Sequence, residues 1–265
     1  MIVVCRVTEV DVSHRGSLEV EINKVELWQS ATRLELAIRR LGVERIVFST
    51  DHDELVDAVS KLEKGALGEN FNKSLHTLPP NKFMWIRALD KDDQVVSIVA
   101  ARLDDIGTWS LQRFIHEHFA RVIDGLDGSP SRLTENSALF AKDIYGRCAY
   151  LGEGYAAPGW RRQGLATYMI KYMMLIVWDE WKPEIIYAWI RRHQIETGTA
   201  AAWGFTESYE TPLEFIEPPL DPDWADTFFV GLRKIGVHQM IRTLRHEAQK
   251  EALNDTSEDS IPPLF

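Results

Sequence analysis

The segment Tyr155-Ala-Ala-Pro-Gly-Trp-Arg161-Arg-Gln-Gly164-Leu-Ala166 constrains this chain more than any other, because it joins a strand-like stretch to a long helical pattern. Gly164 removes a side chain where a ligand would approach the backbone. The start of the next helix leaves several N–H groups unpaired and pointing outward, where an anion fits. Arg161 and Arg162 add positive charge beside those amides, which suits a diphosphate better than a single carboxylate. An ordinary strand-to-helix turn that carries Arg and Gly has the same spacing, and the neighbouring elements must separate the two readings.

Residues Ile2 to Val12 alternate loosely and are rich in β-branched side chains, which predicts a first strand, with a short second piece at Leu18 to Ile22. Leu27, Leu34, Ile38 and Leu41 recur at helical spacing up to Gly42, and Thr50 or Asp51 caps a second helix through Leu62. After Pro79-Pro80, Phe83 to Leu89 and Gln94 to Arg102 read as a hairpin across Asp90-Lys-Asp-Asp93. Trp109 to Ile123 is helical in pattern, and Gly125 to Lys142 reads as an extended surface excursion.

Tyr145 to Tyr155 then delivers the chain to the loop, and Leu165 to Trp181 is an apolar helix. Glu184 to Ile190 reads as a buried strand and Thr197 to Trp203 as a short helix stopped by Gly204. Phe205 to Glu210 and Asp226 to Lys234 are further strands, separated by the proline-rich Thr211 to Asp223, which must loop. A basic helix from Val237 to Leu253 precedes an acidic tail, expected to be mobile.

With 265 residues, 45% of them hydrophobic, the chain can bury a large core, and no repeat or linker divides it. The formal charge of −10 opposes broad binding to nucleic acid or to an anionic membrane surface. Cys5 and Cys148 stand far apart without a Cys/His cluster, so neither a disulfide framework nor a metal-ligand spacing is present. The apolar start is too short for a secretory signal and no run reaches membrane-spanning length, which gives the expectation of a cytoplasmic protein.

The order strand, Ala156-x-Pro158-x-Trp160-Arg161-Arg-Gln-Gly164-Leu-Ala166, helix, buried strand, short helix, Gly204-Phe205 resembles the acetyl-CoA-binding half of the GNAT superfamily of N-acetyltransferases. Arg161, Gly164 and Ala166 occupy the three fixed positions of that family's pyrophosphate signature, and Gly204-Phe205 is similar to its second landmark. The resemblance covers Phe83 to Glu210. It implies an α/β (α+β) fold with a mostly antiparallel central sheet flanked by helices, in which the strands before and after the loop helix run parallel and splay apart. It implies one domain over residues 1–253, with a core at 83–210, an acceptor-side region at 1–82, a C-terminal extension at 211–253, and the tail at 254–265.

The resemblance further implies acetyl-CoA or another acyl-CoA as co-substrate, with no metal. The pantetheine arm would pair with the backbone of Gly154, Tyr155 and Ala156. The pyrophosphate would lie beside Arg161 on the N–H groups of Arg162, Gln163, Gly164, Leu165, Ala166 and Thr167. The acceptor pocket would lie between the first two helices with their loop and the late hairpin, and the family is often monomeric or dimeric.

The chain departs from the family in its catalytic groups. The tyrosine that many members place four residues before the Gly-Phe glycine is Ala200, the frequent asparagine is His193, and a carboxylate found in some relatives falls at Ala188. Glu153 remains, on the strand leading to the loop, as a base that burial would strengthen, or as an ordinary edge-strand glutamate. His193 offers an imidazole, the side-chain type suited to proton transfer near neutral pH, but it sits beside Arg191 and Arg192, so it is a base, a cofactor contact or part of a solvated basic segment. Tyr209, Tyr187 and Tyr155 each offer a phenol as acid or a core side chain.

The expected activity is transfer of an acetyl group to a primary amine of a small molecule, peptide or protein by direct attack in a ternary complex. A non-catalytic acyl-CoA-binding regulatory module is the alternative, motivated by Ala200. Acetylation of charged transfer RNA is opposed by the chain's negative charge.

Overall fold

The computed structural model describes residues 20–258, with side chains described to residue 250. The strand expected at Ile2 to Val12, Cys5, and the tail beyond residue 258 lie outside the described residues. Val20 to Ile22, expected in a short strand, are irregular and lead into a helix instead. Asn23 caps that helix, its side chain accepting from the N–H groups of Val25 and Glu26 at 2.9 and 3.2 Å.

Helix α1 (Lys24–Arg40) is followed by strand β1 (Arg45–Ser49), a strand not among those expected, and by α2 (His52–Ser60), capped by Asp51. The hairpin β2 (Phe83–Leu89) and β3 (Val95–Asp105) forms as expected. A short helix α3 (Leu111–Phe114) continues through a π turn at Ile115–Phe119. Then come β4 (Arg147–Ala156), α4 (Leu165–Trp181), β5 (Ile185–Arg191), α5 (Arg192–Glu196) and α6 (Thr199–Trp203). Strands β6 (Glu207–Glu210) and β7 (Thr227–Arg233) complete the sheet before α7 (Lys234–Glu258). The first residues of the acidic tail therefore belong to a helix. No helix among the described residues is long and apolar enough to cross a membrane.

Among the described residues, seven strands run in the order β1-β2-β3-β4-β5-β7-β6. Every pair is antiparallel except β4 and β5. Both faces of the sheet are covered, so β2 reads as an almost unbroken apolar run rather than an alternation. Met84, Ile86 and Ala88 enter the core shared with α1, α4 and α7. Phe83 and Trp85 enter the opposite core, built with α2, α3 and the segment after it.

The Gly125 to Lys142 excursion is held in place rather than loose over the surface. Ser131, Leu133, Ser137, Ala138 and Ala141 are buried. Its partner is the proline-rich Thr211 to Asp223 loop: Leu133 bridges to Phe215, and the Ser137 hydroxyl accepts the Glu214 N–H at 2.6 Å. Two segments unable to form ladders of their own thus satisfy each other's backbone groups.

Candidate cofactor and acceptor site

Strands β4 and β5 pair only at Cys148 with Ile185, Ala149 with Ile186, and Tyr150 with Tyr187. Beyond Tyr150 they part. β5 stays with β7 along its whole length, while β4 stays with β3 through a bulge in which Glu153 and Gly154 lie against Val99. Glu153 takes a left-handed φ of 57° there, a conformation that costs a non-glycine residue energy. On the β5 side, Leu151 to Ala156 have no strand partner among the described residues.

At its far end β4 turns through Pro158–Trp160 into the loop before α4. Arg162 (φ 63°) and Gly164 (φ 85°) are both left-handed, and Gln163 Nε2 donates to the Gly159 carbonyl at 2.8 Å. The first N–H to close a helical bond is that of Tyr168, onto Gly164 at 3.0 Å. Among the described residues, no acceptor in hydrogen-bonding geometry meets the N–H groups of Arg162, Gln163, Gly164, Leu165, Ala166 or Thr167. Such a run of donors at a helix start is an anion cradle. Arg161 flanks it, donating from Nε to the Ala156 carbonyl at 3.1 Å and pairing with Glu63 at 2.8 Å.

A mixed sheet that opens between its one parallel pair, with the cradle between those two strands, decides the architecture. This is the architecture that the resemblance to the GNAT superfamily implies.

No protein-family model matches the chain, and no curated protein matches it. Solved structures similar to it include Arabidopsis thaliana NAA60 in complex with acetyl-CoA, at 10% identity over 72% of this chain and 99% of that one, with a TM-score of 0.40. An acetyltransferase of the GNAT family from Staphylococcus aureus Mu50 is 13% identical over 71% of this chain and 99% of that one, with a TM-score of 0.37. At such identities and scores, the meaning of the site comes from its own geometry.

The fork opens into a cavity on each face of the sheet. One, of about 160 Å³, lies on the α4 side between Val99, Leu151, Ile170, Ala188 and Phe205. The other, of about 480 Å³, lies on the α2 side against Asn70, Trp224 and Thr227. Tyr150, Glu153, Gly154, Trp189, Ile190 and Gln194 wall both, so the two cavities adjoin in the passage between the splayed strands. The larger cavity carries the carboxylates of Glu69, Glu153, Asp221 and Asp223 against the cations Lys64 and Arg191 and the imidazole of His193. Lys64 pairs with Glu153, and Arg191 with Asp223 at 2.8 Å, which leaves Glu69 and Asp221 in excess.

Of the three catalytic candidates, two reach this passage. Glu153 is almost fully buried, at 4% side-chain exposure, and both its oxygens are engaged. Oε1 accepts the Gly68 N–H at 2.9 Å and Oε2 is paired with the Lys64 ammonium, so it clasps β4 to the segment after α2. That clasp competes with service as a proton acceptor. His193 is exposed in the wall of the larger cavity.

Tyr209 lies elsewhere. It sits on edge strand β6, on the far side of β7 from the fork, stacked on Phe140 at a centroid distance of 4.3 Å, and it walls neither cavity. Among the other phenols considered, Tyr187 donates to Asp104 at 3.0 Å, and burial raises its pKa well above the usual value. Tyr155 is half-buried against the α2-side core. Ala200, where relatives place their acid, is buried in the α4-side core.

No sequence signal marks Tyr150. Its position at the last paired residue of β4 depends on where β4 and β5 separate, which no local pattern signals. Burial pushes its pKa well above the usual phenol value, with the Arg102 guanidinium, 5.0 Å over the ring, pulling the other way. Arg102 is itself buried, held by Asp104 at 3.1 Å, by the Asn70 carbonyl and by His76 Nε2 at 3.0 Å. This network fixes the floor beneath the larger cavity.

Proposed function

We propose that the chain is a GNAT-type N-acetyltransferase that moves an acetyl group from acetyl-CoA to a primary amine by direct attack in a ternary complex. The observation that carries this reading is the fork: a length of β4 without a strand partner on its β5 side, leading to the cradle of N–H groups without backbone partners. The open edge at Gly154, Tyr155 and Ala156 offers amide partners to a pantetheine arm. Arg161 and the N–H groups of Arg162 to Thr167 offer the charge and donors that a pyrophosphate needs. From the cradle, the passage through the sheet leads a thioester to the larger cavity.

The acceptor would enter from the α2 side, between the segment after α2 and the Asp221–Trp224 turn. Two carboxylates in excess there favour a cationic amine. For attack the amine must lose its proton, and His193 in the cavity wall is the group placed to take it. The whole chain then works as one domain, with residues before Phe83 and after Glu210 completing the acceptor side.

The test is release of free thiol from acetyl-CoA across a panel of diamines, aminoglycosides and peptides with free N-termini. Acetyl-CoA binding without turnover on any of them would favour the second reading, a regulatory acyl-CoA-binding module. The occupied carboxylate of Glu153 and the alanine at position 200 are the observations on its side.

A further inference from the structure

We infer that Tyr150 is the hydrogen-bond donor to the thioester carbonyl oxygen, and to the oxyanion that forms from it during transfer. The inference rests on the reading of the fork as an acyl-CoA site. Three observations place the phenol. Tyr150 is the last residue of β4 paired with β5, its side chain lies on the α2 side of the sheet, and the residue borders the cavities on both faces at the fork. Its ring is fixed between Phe71, Tyr187 and the Arg102 guanidinium, at 5.7, 5.4 and 5.0 Å, and Gly152 supplies the space. A Cβ at Gly152 would come within 2.9 Å of Tyr150 Cε1, so the glycine is what lets the ring lie where it does.

The third observation concerns the hydroxyl. Tyr187, the neighbouring phenol, spends its proton on Asp104. Tyr150 has no hydrogen-bond partner among the described residues, yet its oxygen is not sealed away with the orphaned buried atoms. A fixed, unspent donor in a largely desolvated passage is what stabilises a charge that develops only in the transition state.

Burial raises the phenol's pKa and keeps it protonated. A proton held so tightly is poorly suited to a leaving thiolate, whose pKa lies near that of other thiols, about 8.5. The role is therefore donation without transfer. The amine lone pair attacks the carbonyl carbon, a C–N bond forms, and the π pair moves onto oxygen, where the Tyr150 O–H meets it. Collapse restores the carbonyl and breaks the C–S bond, with the pair leaving on sulfur. The nitrogen's surplus proton ends on that thiolate by way of His193 or solvent, so the phenol is unchanged over the cycle.

The experiment combines binding, spectroscopy and kinetics on the full chain. Acetyl-CoA carrying a ¹³C-labelled thioester carbonyl is bound to the parent and to Tyr150→Phe, with affinity read by calorimetry and the carbonyl band by isotope-edited infrared difference. The expected result is affinity within about threefold, a band at lower frequency in the parent than in the variant, and kcat lower by about 100-fold in Tyr150→Phe with little change in the amine KM. No acetyl-CoA binding by the parent overturns the site reading and this inference with it. Binding with an identical band in both proteins, or kcat within about threefold, overturns the role of Tyr150 and leaves the site reading intact. If Tyr150→Phe does not fold, 3-fluorotyrosine at position 150 keeps the shape and strengthens the donor. The band must then move further down, and an unmoved band overturns the inference.

Discussion

The Glu153 carboxylate accepts the Gly68 N–H at 2.9 Å and so joins the bulge of β4 to a segment 85 residues earlier in the chain. Lys64 closes the same clasp from the other oxygen. The wall of the larger cavity therefore depends on a carboxylate that is also a candidate base, and substitution separates the two roles. Glu153→Ala removes both contacts. It should raise the acceptor KM by about tenfold, the equivalent of one charge-assisted hydrogen bond, while kcat falls by less than about threefold. Glu153→Gln retains an acceptor for Gly68 and should fall between. Steady-state kinetics decide the matter: a loss of about 100-fold in kcat for both variants at unchanged KM would return Glu153 to proton transfer.

The cradle depends on Gly164 for its backbone angle. At φ 85° an alanine is strained, although its Cβ would meet only Tyr168 Cε2 at an ordinary 3.5 Å. Gly164→Ala should cost about 1–2 kcal/mol in thermal or denaturant unfolding and weaken acetyl-CoA binding by about tenfold or more. Gly159→Ala, in the same loop, has no heavy atom within 4 Å and no positive φ, so it should leave stability within about 0.5 kcal/mol.

His76 makes the fold sensitive to acid. Burial, followed by the Arg102 charge 3.0 Å from Nε2, lowers its pKa from 6.5 to about 3. Because the folded pKa lies below the unfolded one, the unfolded chain binds the proton first. The contribution is complete above pH 6.5 and is lost as pH falls toward 3. Full linkage would give about 1.4 kcal/mol per pH unit, and partial solvent exposure of the ring reduces this to well under about 1. His76→Gln should therefore narrow the difference in urea unfolding free energy between pH 7 and pH 5. An unchanged difference would remove His76 from the acid response.

The buried Arg102 and Asp104 stand together or fall separately. Arg102→Met leaves the Asp104 carboxylate buried beside Tyr187 without its cation, and should cost about 3–5 kcal/mol. Adding Asp104→Asn should recover part of that loss, because the uncompensated charge goes with it. Denaturant titration of the two single variants and the double gives the coupling directly.

Much of this fold was legible in sequence because its signals are local. Helix α4 has the bounds that the apolar run from Leu165 to Trp181 implied, Asp51 caps α2, and Asp90 to Asp93 turns the hairpin. Strand β1 escaped because five residues between two helix signals leave too little room for periodicity, and an edge strand with exposed Arg45 and Phe48 shows little apolar pattern. The cofactor side of the site was legible for the same reason: its donors are consecutive residues of one loop. The catalytic side was not. Tyr209 and Tyr150 are both strand tyrosines in sequence, and only the strand order, with β7 inserted between β5 and β6, removes the first from the passage. The Glu153 clasp is likewise a long-range contact with no sequence mark.

Among the described residues, three register pairs join β4 to β5, and hence the half-sheet β1 to β4 to the half-sheet β5 to β7. The seam that a pantetheine arm would fill is thus the place where the ladder is thinnest. A bound acyl-CoA would act there as an eighth, non-peptide strand, supplying to Leu151–Ala156 the partners that β5 withholds. Its arrival would be written first in slowed amide exchange along that one edge of β4, before any change in the rest of the sheet.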